Sequence, residues 1–201
     1  SKSKVYGQSD PSFTFAATNF APGDTVSILT GGLDRDAGEN VGSYAINLGT
    51  LSAGGNYSIN YTAANLAITP KTLTVTAGAK SKIYGDTDPA LTYSFGTLYY
   101  GDTASVFSGA LTRATGQNVG SYAITQSTLA AGLNYSISYV GANLSITQRG
   151  LNVTADVKTK SAGQADPPLS YQVNGFQFSD TVSGVLTGTL VRDAGETAGA
   201  Y

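Results

Sequence analysis

Apolar and polar residues alternate with a period of two along most of the chain. Because successive side chains of a β-strand point to opposite faces, this alternation predicts strands with one buried face. Glycine and asparagine separate the runs, as is typical of turns between strands. The runs are Phe13/Phe15, Tyr44/Ile46/Leu48, Tyr57/Ile59/Tyr61, Leu66/Ile68, Leu73/Val75, Leu91/Tyr93/Phe95, Tyr122/Ile124, Tyr135/Ile137/Tyr139 and Leu144/Ile146. We therefore predict a mainly β protein built from antiparallel strands.

The pattern recurs every 78 residues, which is the separation of Lys4 from Lys82 and of Lys82 from Lys160. KVYGQSDPS at 4–12 returns as KIYGDTDPA at 82–90 and, altered, as KSAGQADPP at 160–168, and GDT, VGSYAI, NYSI and ANLAIT recur in step. Each copy of such a tandem repeat is one structural unit. The predicted domains are repeat one at 1–69 (lacking an N-terminal strand), repeat two at 70–147 (complete) and repeat three at 148–201 (incomplete at its C-terminal end).

Each repeat is predicted to be a small antiparallel β module, either a sandwich or β-grasp-like, with at most one short helix. A single helical turn is expected after Asp24 or Asp102, each of which could cap its first N–H groups. Repeats one and two keep identical apolar residues in their strands, and we expect these to be buried. They are Tyr44, Ile46, Tyr57, Ile59, Leu66 and Ile68, with Tyr122, Ile124, Tyr135, Ile137, Leu144 and Ile146.

Successive repeats are joined by short segments without a flexible linker. The alternation continues through Asn65–Ala77 and Asn143–Ala155, and no Gly/Ser-rich stretch interrupts either segment. We expect both segments to be extended and the modules to lie end to end as a stiff rod. The missing terminal strands would leave unpaired edges. We expect either that the sequence is a piece of a longer array or that strands of neighbouring molecules complete it as a fibre.

The phrase K-x-Y-G-x-x-D-P predicts a turn. Glycine adopts backbone angles that other residues resist, aspartate can accept backbone N–H bonds in an Asx-turn, and proline fixes the exit into the next strand. Repeat three has Ala162 in place of the tyrosine but keeps the other residues, which favours a turn over a ligand site. The predicted turn-forming residues are Gly7, Asp10, Pro11, Gly85, Asp88, Pro89, Gly163, Asp166 and Pro167.

Composition argues against several classes of function. Charged residues make up 12% of the chain and nearly cancel at a net charge of −2, so there is no basic surface to neutralise the phosphates of a nucleic acid. The sequence has no histidine or cysteine, so catalysis by those residues is excluded. No apolar run approaches the length of a membrane-spanning helix. We predict a protein that is not an enzyme, needs no cofactor and inserts no part of this segment into a membrane.

Acidic side chains cluster in two loops, Asp34/Asp36/Glu39 in repeat one and Asp193/Glu196 in repeat three. Repeat two has Thr112, Ala114 and Gln117 at the matching positions, so no acid–base pair is repeated. Solvated loops are the favoured interpretation, and calcium binding is the alternative. A Lys–Asn cross-link is a further alternative, because Lys4, Lys82 and Lys160 recur together with Asn65 and Asn143.

Some aromatic residues differ between the repeats. Phe20, Leu98 and Phe176 occupy matching positions and are expected in the core, whereas two residues later the chain has Pro22, Tyr100 and Phe178. Exposed aromatic side chains suit contact with sugars or proteins, so Tyr99, Tyr100 and Phe178 are candidate ligand contacts. The competing interpretation is that these residues pack one module against the next.

The combination K-x-Y-G-x-x-D-P, G-D-T, N-V-G-S-Y-x-I and N-Y-x-I-x-Y resembles the MBG-type repeat of the YGX kind, over essentially the whole chain. That family occurs in tandem arrays within large bacterial surface adhesins and filamentous-haemagglutinin-like exoproteins. The resemblance implies an extracellular, mainly β module at the bacterial cell surface and no catalytic residues. Repeat three departs from it at Ala162 and by one extra residue between Thr181 and Arg192.

These observations support two hypotheses. The favoured one is a structural, adhesive repeat region that acts as a stiff stalk or fibre, with adjacent repeats and neighbouring molecules as its partners. The alternative is a carbohydrate- or mucin-binding module that contacts host or matrix glycans through its loop aromatics.

Overall fold

The computed structural model describes residues 1–200 and confirms the mainly β class. Within these residues fifteen strands form; some coincide with the predicted runs, and those outside the runs are two to four residues long. The fifteen strands are β1 (Lys2–Val5), β2 (Asp34–Arg35), β3 (Gly42–Asn47), β4 (Ala64–Thr69), β5 (Lys71–Ala77), β6 (Lys80–Ile83), β7 (Tyr93–Phe95), β8 (Phe107–Ser108), β9 (Thr112–Arg113), β10 (Gly120–Thr125), β11 (Ala130–Ala131), β12 (Tyr135–Val140), β13 (Ala142–Thr147), β14 (Asn152–Ala155) and β15 (Tyr171–Asn174).

Each repeat contains one short helical turn, which in repeats one and two lies at the predicted place. The turns are 3-10 helices at Val26–Ile28 and Ala104–Val106 and an α-helical turn at Val182–Val185. The prediction of aspartate caps was wrong, because the threonine that follows accepts the N–H bond through its hydroxyl oxygen. The caps are Thr25, Thr103 and Thr181. The neighbouring aspartates are therefore available to accept hydrogen bonds elsewhere.

The chain divides into two compact units whose boundary runs through repeat two. Unit one comprises Ser1–Gly78, Leu91–Thr112 and Ile124–Ala142, and unit two comprises Ala79–Ala90, Arg113–Ala123 and the chain from Asn143 onward. Each unit thus combines residues of two consecutive repeats. The structural unit is out of register with the sequence repeat.

Unit one contains two larger sheets. In the first, with strand order β1-β4-β3-β2, β1 runs parallel to β4, and antiparallel pairs join β3 to β4 and to β2. In the second, with order β12-β5-β7, β12 runs parallel to β5, whereas β7 is antiparallel to it. A short antiparallel ladder joins β8 to β11. The alternation of apolar and polar residues did not predict that any of these strands pair in parallel.

The core of unit one is contributed by both larger sheets. Leu66 and Ile68 of β4 cluster with Leu73 and Val75 of β5, and only Pro70 separates the two strands along the chain. The same cluster includes Tyr6, Ile46, Leu129 and Tyr135. The two sheets come from different repeats, so this core is not that of a sandwich formed within one repeat. Repeats one and two therefore share a single hydrophobic core, and the segment Asn65–Ala77 is extended on both sides of the junction as predicted.

The expected core residues are all at least half-buried. Seven of the twelve are buried and five are half-buried, so where these residues lie in strands the predicted face is the inner one. The buried residues are Ile46, Leu66, Ile68, Ile124, Tyr135, Leu144 and Ile146, and the half-buried ones are Tyr44, Tyr57, Ile59, Tyr122 and Ile137.

Two predicted strands of repeat one do not form. Phe13/Phe15 and Tyr57/Ile59/Tyr61 lie outside the strands of the structure, although their equivalents in repeat two are strands β7 and β12. Both equivalents pair with β5. In the 78-residue register the counterpart of β5 would precede Ser1, so neither segment of repeat one has that partner in this sequence.

Unit two includes most of the sheet β6-β13-β10-β9, in which β6 runs parallel to β13. The antiparallel pair β14–β15 belongs to repeat three and also lies in unit two. Between Asn143 and Ala155 the chain is a strand up to Thr147 and again from Asn152, with a non-strand stretch at 148–151. This second junction is longer than the single Pro70 of the first.

Candidate functional site: the joints between repeats

The glycine of the repeated phrase, with the residue before it, forms a tight turn in all three repeats. The N–H of Gln8 donates to the carbonyl of Val5 over 3.0 Å, and matching bonds close the turns at 83–86 and 161–164. Glycine occupies the third position of each turn. Its φ angle is positive there, at 88° for Gly7, 90° for Gly85 and 79° for Gly163. This geometry is typical of a type II turn, which favours glycine at that position.

The aspartate of the phrase binds charged side chains rather than backbone N–H groups, so the Asx-turn interpretation was wrong. In repeat one the Lys4 ammonium lies 2.6 Å from Asp10 and 2.5 Å from Glu39, and Arg35 bridges the same two carboxylates. We call such a group the ion clip. The clips are Lys4/Asp10/Arg35/Glu39, Lys82/Asp88/Arg113/Gln117 and Lys160/Asp166/Arg192/Glu196.

Each clip is built from two distant stretches of its repeat. In the clip of repeat one, Lys4 lies on β1 and Arg35 lies on β2. The Arg35 guanidinium also donates to the carbonyl of Gly38 over 2.5 Å and lies 5.3 Å from the ring centre of Tyr44. Repeat two repeats the arrangement with Arg113. Sequence reasoning missed these arginines, although their recurrence at 35, 113 and 192 was the available signal.

The charges of the clip hold one another in their ionised forms. Hydrogen bonds from Arg113 and Lys82 lower the pKa of Asp88 to about 2, and Arg192 and Lys160 do the same to Asp166. Burial alone would lower the pKa of Lys4, but the hydrogen bonds that its ammonium donates to Asp10 and Glu39 outweigh burial and raise the pKa. Only 3% of the Lys4 side chain is exposed, so the clip compensates a buried charge.

The tyrosine of the phrase connects one repeat to the next. Tyr6 is 2% exposed, and its hydroxyl donates over 2.9 Å to Asp102, the aspartate of the GDT motif in repeat two. Its ring packs edge-on against Tyr100 and Tyr135, with centres 5.2 and 5.3 Å apart. Burial, followed by the bond to Asp102, raises the pKa of Tyr6 to about 12, so the hydroxyl remains protonated and able to donate.

Asp102 accepts hydrogen bonds from both repeats. Tyr135 of the NYSI motif donates to the same carboxylate oxygen as Tyr6, also over 2.9 Å. The turn glycine allows close approach at the same place, because a Cβ on Gly7 would lie 2.5 Å from the ring of Tyr99. We call this group joint one; it comprises Tyr6, Gly7, Tyr99, Tyr100 and Asp102, and it lies within unit one.

The same group recurs within unit two as joint two, which comprises Tyr84, Gly85, Gln177, Phe178 and Asp180. The Tyr84 hydroxyl donates to Asp180 over 3.3 Å, and its ring packs edge-on against Phe178 with centres 5.4 Å apart. A Cβ on Gly85 would lie 2.2 Å from the Gln177 side chain. Each of these residues lies 78 positions after its counterpart in joint one. The repeated phrase therefore makes the repeated contact.

The three candidate ligand contacts belong to these joints. Tyr99 is half-buried and packs over Gly7, whereas Tyr100 and Phe178 are 54% and 65% exposed and have φ near +50°. The Tyr100 hydroxyl donates to Glu39 over 3.0 Å and so reaches the ion clip of repeat one. The structure thus places all three against the preceding repeat, as the packing interpretation expects.

The acidic loops are occupied by internal partners. Glu39 and Glu196, two of the side chains considered for calcium, bind lysine and arginine in their clips, and Asp36 accepts a bond from Asn47. The described residues, 1–200, contain no group of three or more metal-ligating side chains placed to hold an ion. Lys4 and Lys82 face their clips, and Asn65 and Asn143 are exposed, so the structure brings none of the cross-link candidates together.

Over the same span of the chain, no helix is long and apolar enough to cross a membrane.

Comparison with family models gives one match, which occurs three times. The model described as MBG domain (YGX type) matches residues 1–67, 73–145 and 151–201, nearly the whole chain. Searches among curated proteins and among solved structures found no match.

Proposed function

Because the chain belongs to the MBG domain family of the YGX type, we propose that it is a structural, adhesive repeat region of a bacterial cell-surface or secreted fibrous adhesin. Its role is that of a stiff stalk that extends or displays other domains outside the cell. The observation that carries this proposal is the joint, in which a tyrosine of one repeat hydrogen-bonds an aspartate of the next.

The joint supports a stiff connection for a physical reason. Independent domains joined by a small interface are expected to move relative to each other. Here repeats one and two contribute to one core through β4 and β5, and Tyr6 is buried within it. Bending at this junction would expose apolar side chains and break a buried hydrogen bond, so it is disfavoured.

Adjacent repeats of the same chain are the proposed partners of each repeat, and strand pairing between neighbouring molecules in a fibre is a further proposal. The clip and the joint use side chains for mutual support, and each charged side chain of the clips forms an ion pair within its own repeat. This arrangement suits a scaffold better than a catalytic centre, since catalytic groups need free reactive atoms facing a substrate. We therefore assign no enzymatic activity to the chain.

Distance measurement by spin labelling tests the stiff stalk. The chain has no cysteine, so Ser43→Cys in repeat one and Ser136→Cys in repeat two provide two unique labels at exposed positions. The expected result is one narrow distance distribution that broadens in Tyr6→Ala. A distribution in the unmutated joint as broad as that of a flexible linker would overturn the proposal.

The glycan-binding alternative rests on the exposure of Tyr100 and Phe178. A glycan array probed with the whole chain tests it, with Tyr99→Ala and Tyr100→Ala as variants. Saturable binding that both variants abolish, while far-UV circular dichroism remains unchanged, would favour the binding module. Absence of binding at high protein concentration would favour the stalk.

A further inference from the structure

In repeats one and two, strands near the start of the repeat pair in parallel with strands near its end. In repeat one, β1 pairs with β4, with Lys2 opposite Leu66 and Val5 opposite Thr69. In repeat two, β5 pairs with β12 over six residues, from Lys71 opposite Tyr135 to Thr76 opposite Val140, and β6 pairs with β13 over four. All three pairs have the same offset of 64 residues, since 66 − 2, 135 − 71 and 144 − 80 are equal.

This topology determines how tension acts on a repeat. Tension along the chain pulls the first strand toward its N-terminal end and the last strand toward its C-terminal end. In a parallel pair these pulls slide one strand along the other, so the ladder bonds are loaded together. In an antiparallel hairpin, pulling the two open ends apart loads the bonds one after another.

We propose that the repeats are load-bearing modules whose parallel pairs of an early and a late strand act as shear clamps against force applied along the chain. The proposal rests on the stalk function for its role in the cell, whereas the resistance to force is a property of the strand topology. Forced unfolding depends on the rate of unfolding, so clamps can protect a stalk independently of its equilibrium stability.

The junction of repeats one and two fits this role. β4 is the last strand of the clamp β1–β4, and β5 is the first strand of the clamp β5–β12. Only Pro70 lies between them along the chain. Tension leaving the first clamp therefore enters the second directly, without a flexible segment that would extend first. The two clamps are loaded in series.

Single-molecule force spectroscopy on the whole chain tests the clamp, because the sequence has no native cysteine and handles can be placed at will. In the shear geometry the handles are Thr72→Cys and Val140→Cys, near the start of β5 and at the end of β12. In the unzipping geometry they are Thr72→Cys and Ser136→Cys, which are directly opposite each other. All three positions are exposed, and the two variants share the handle on β5 and differ in the residue of β12 at which force is applied.

We expect the rupture force in shear to be several times that in unzipping at the same pulling speed. A second pair of variants repeats the comparison in β6 and β13, with Ser81→Cys combined either with Thr147→Cys or with Ser145→Cys. Equal rupture forces in the two geometries, in variants with native circular dichroism, would overturn the clamp. A broad spin-label distribution with a preserved force ratio would refute the stiff stalk and leave the clamp intact, so the two failures are distinguishable.

Discussion

Joint one and joint two share the bond from tyrosine to aspartate and the edge-on ring contact, but their surroundings differ. In joint one, Tyr6 is buried and Tyr100 adds a hydroxyl that reaches Glu39. In joint two, Tyr84 is only half-buried, and Phe178 has no hydroxyl to add.

The flanking basic residue differs as well. Lys71 lies 5.4 Å from the ring centre of Tyr99 in joint one. Its counterpart Arg149 donates to the carbonyl of Tyr84 over 2.6 Å and forms an ion pair with Asp86. The comparison teaches that the tyrosine, glycine and aspartate define the joint, while the residues around them adjust its strength.

The largest expected effect is the loss of the joint tyrosine. Tyr6→Ala removes a buried ring and leaves Asp102 without one of its donors, so we expect a loss of about 3–5 kcal/mol in the free energy of unfolding. Tyr84→Ala removes a half-buried ring and a longer hydrogen bond, and about 1–2 kcal/mol is expected. Urea unfolding monitored by circular dichroism measures both.

Tyr6→Phe serves as the control that separates ring packing from the hydroxyl. It should cost about 1 kcal/mol, the usual contribution of one hydrogen bond. If Tyr84→Ala were as damaging as Tyr6→Ala, the difference in burial would not be what distinguishes the joints.

The turn glycines provide the next largest effect and an internal control. Gly7→Ala places a Cβ 2.5 Å from the rigid ring of Tyr99, whereas in Gly85→Ala the neighbour is the flexible end of Gln177. At Gly163 nothing described lies within 4 Å of the added atom, so only the positive φ is costly, at about 1 kcal/mol. We expect destabilisation in the order Gly7→Ala, Gly85→Ala, Gly163→Ala, measured by thermal unfolding. Equal shifts for all three would mean that the joints do not constrain these positions.

Because of the ion clips, we expect the free energy of unfolding to depend on pH. The pKa of Asp88 is about 2 in the folded protein and about 4 when unfolded, so its contribution is present above pH 4 and lost as the pH falls toward 2. The carboxylate is partly exposed, and solvent screening limits this contribution to about 1 kcal/mol.

Urea unfolding of the unmutated chain and of Asp88→Asn, measured between pH 2 and 7, tests the clip. The difference in the free energy of unfolding between the unmutated chain and Asp88→Asn should shrink below pH 4. Asp34→Asn is the matched control, since within residues 1–200 Asp34 forms no ion pair. A difference for Asp88→Asn that stays constant down to pH 2 would contradict the role of the clip.

Sequence reasoning recovered the features that local pattern determines. The repeat, the β class, the turn glycines at 7, 85 and 163 and the extended junction at Pro70 all follow from period, spacing and turn chemistry. The buried faces follow from alternation, as Leu66 and Ile68 illustrate.

Features that depend on partners far apart in the sequence could not be predicted from the local pattern of residues. The segments at 57–61 and 135–139 are nearly identical, yet only the second is a strand, because only it pairs with β5. The aspartates of the phrase bind arginines about 25 residues away, and Tyr6 binds Asp102 across 96 residues. Their recurrence was visible in the sequence, but which recurring residues meet is determined by the tertiary fold.

The smallest expected effect tests whether the extra hydroxyl distinguishes the joints. Tyr100→Phe gives joint one the aromatic ring of joint two and removes the bond to Glu39. The residue is 54% exposed, so water can replace the lost partner, and we expect a loss of only about 0.5 kcal/mol. The bond from Tyr100 is one cause of the lowered pKa of Glu39, after the bond from Lys4, so the variant should also raise that pKa. Carboxyl NMR titration of Glu39 measures this shift directly. An unchanged pKa would mean that Tyr100 does not join the ion clip in solution, and Tyr6 and Asp102 would then carry the joint alone.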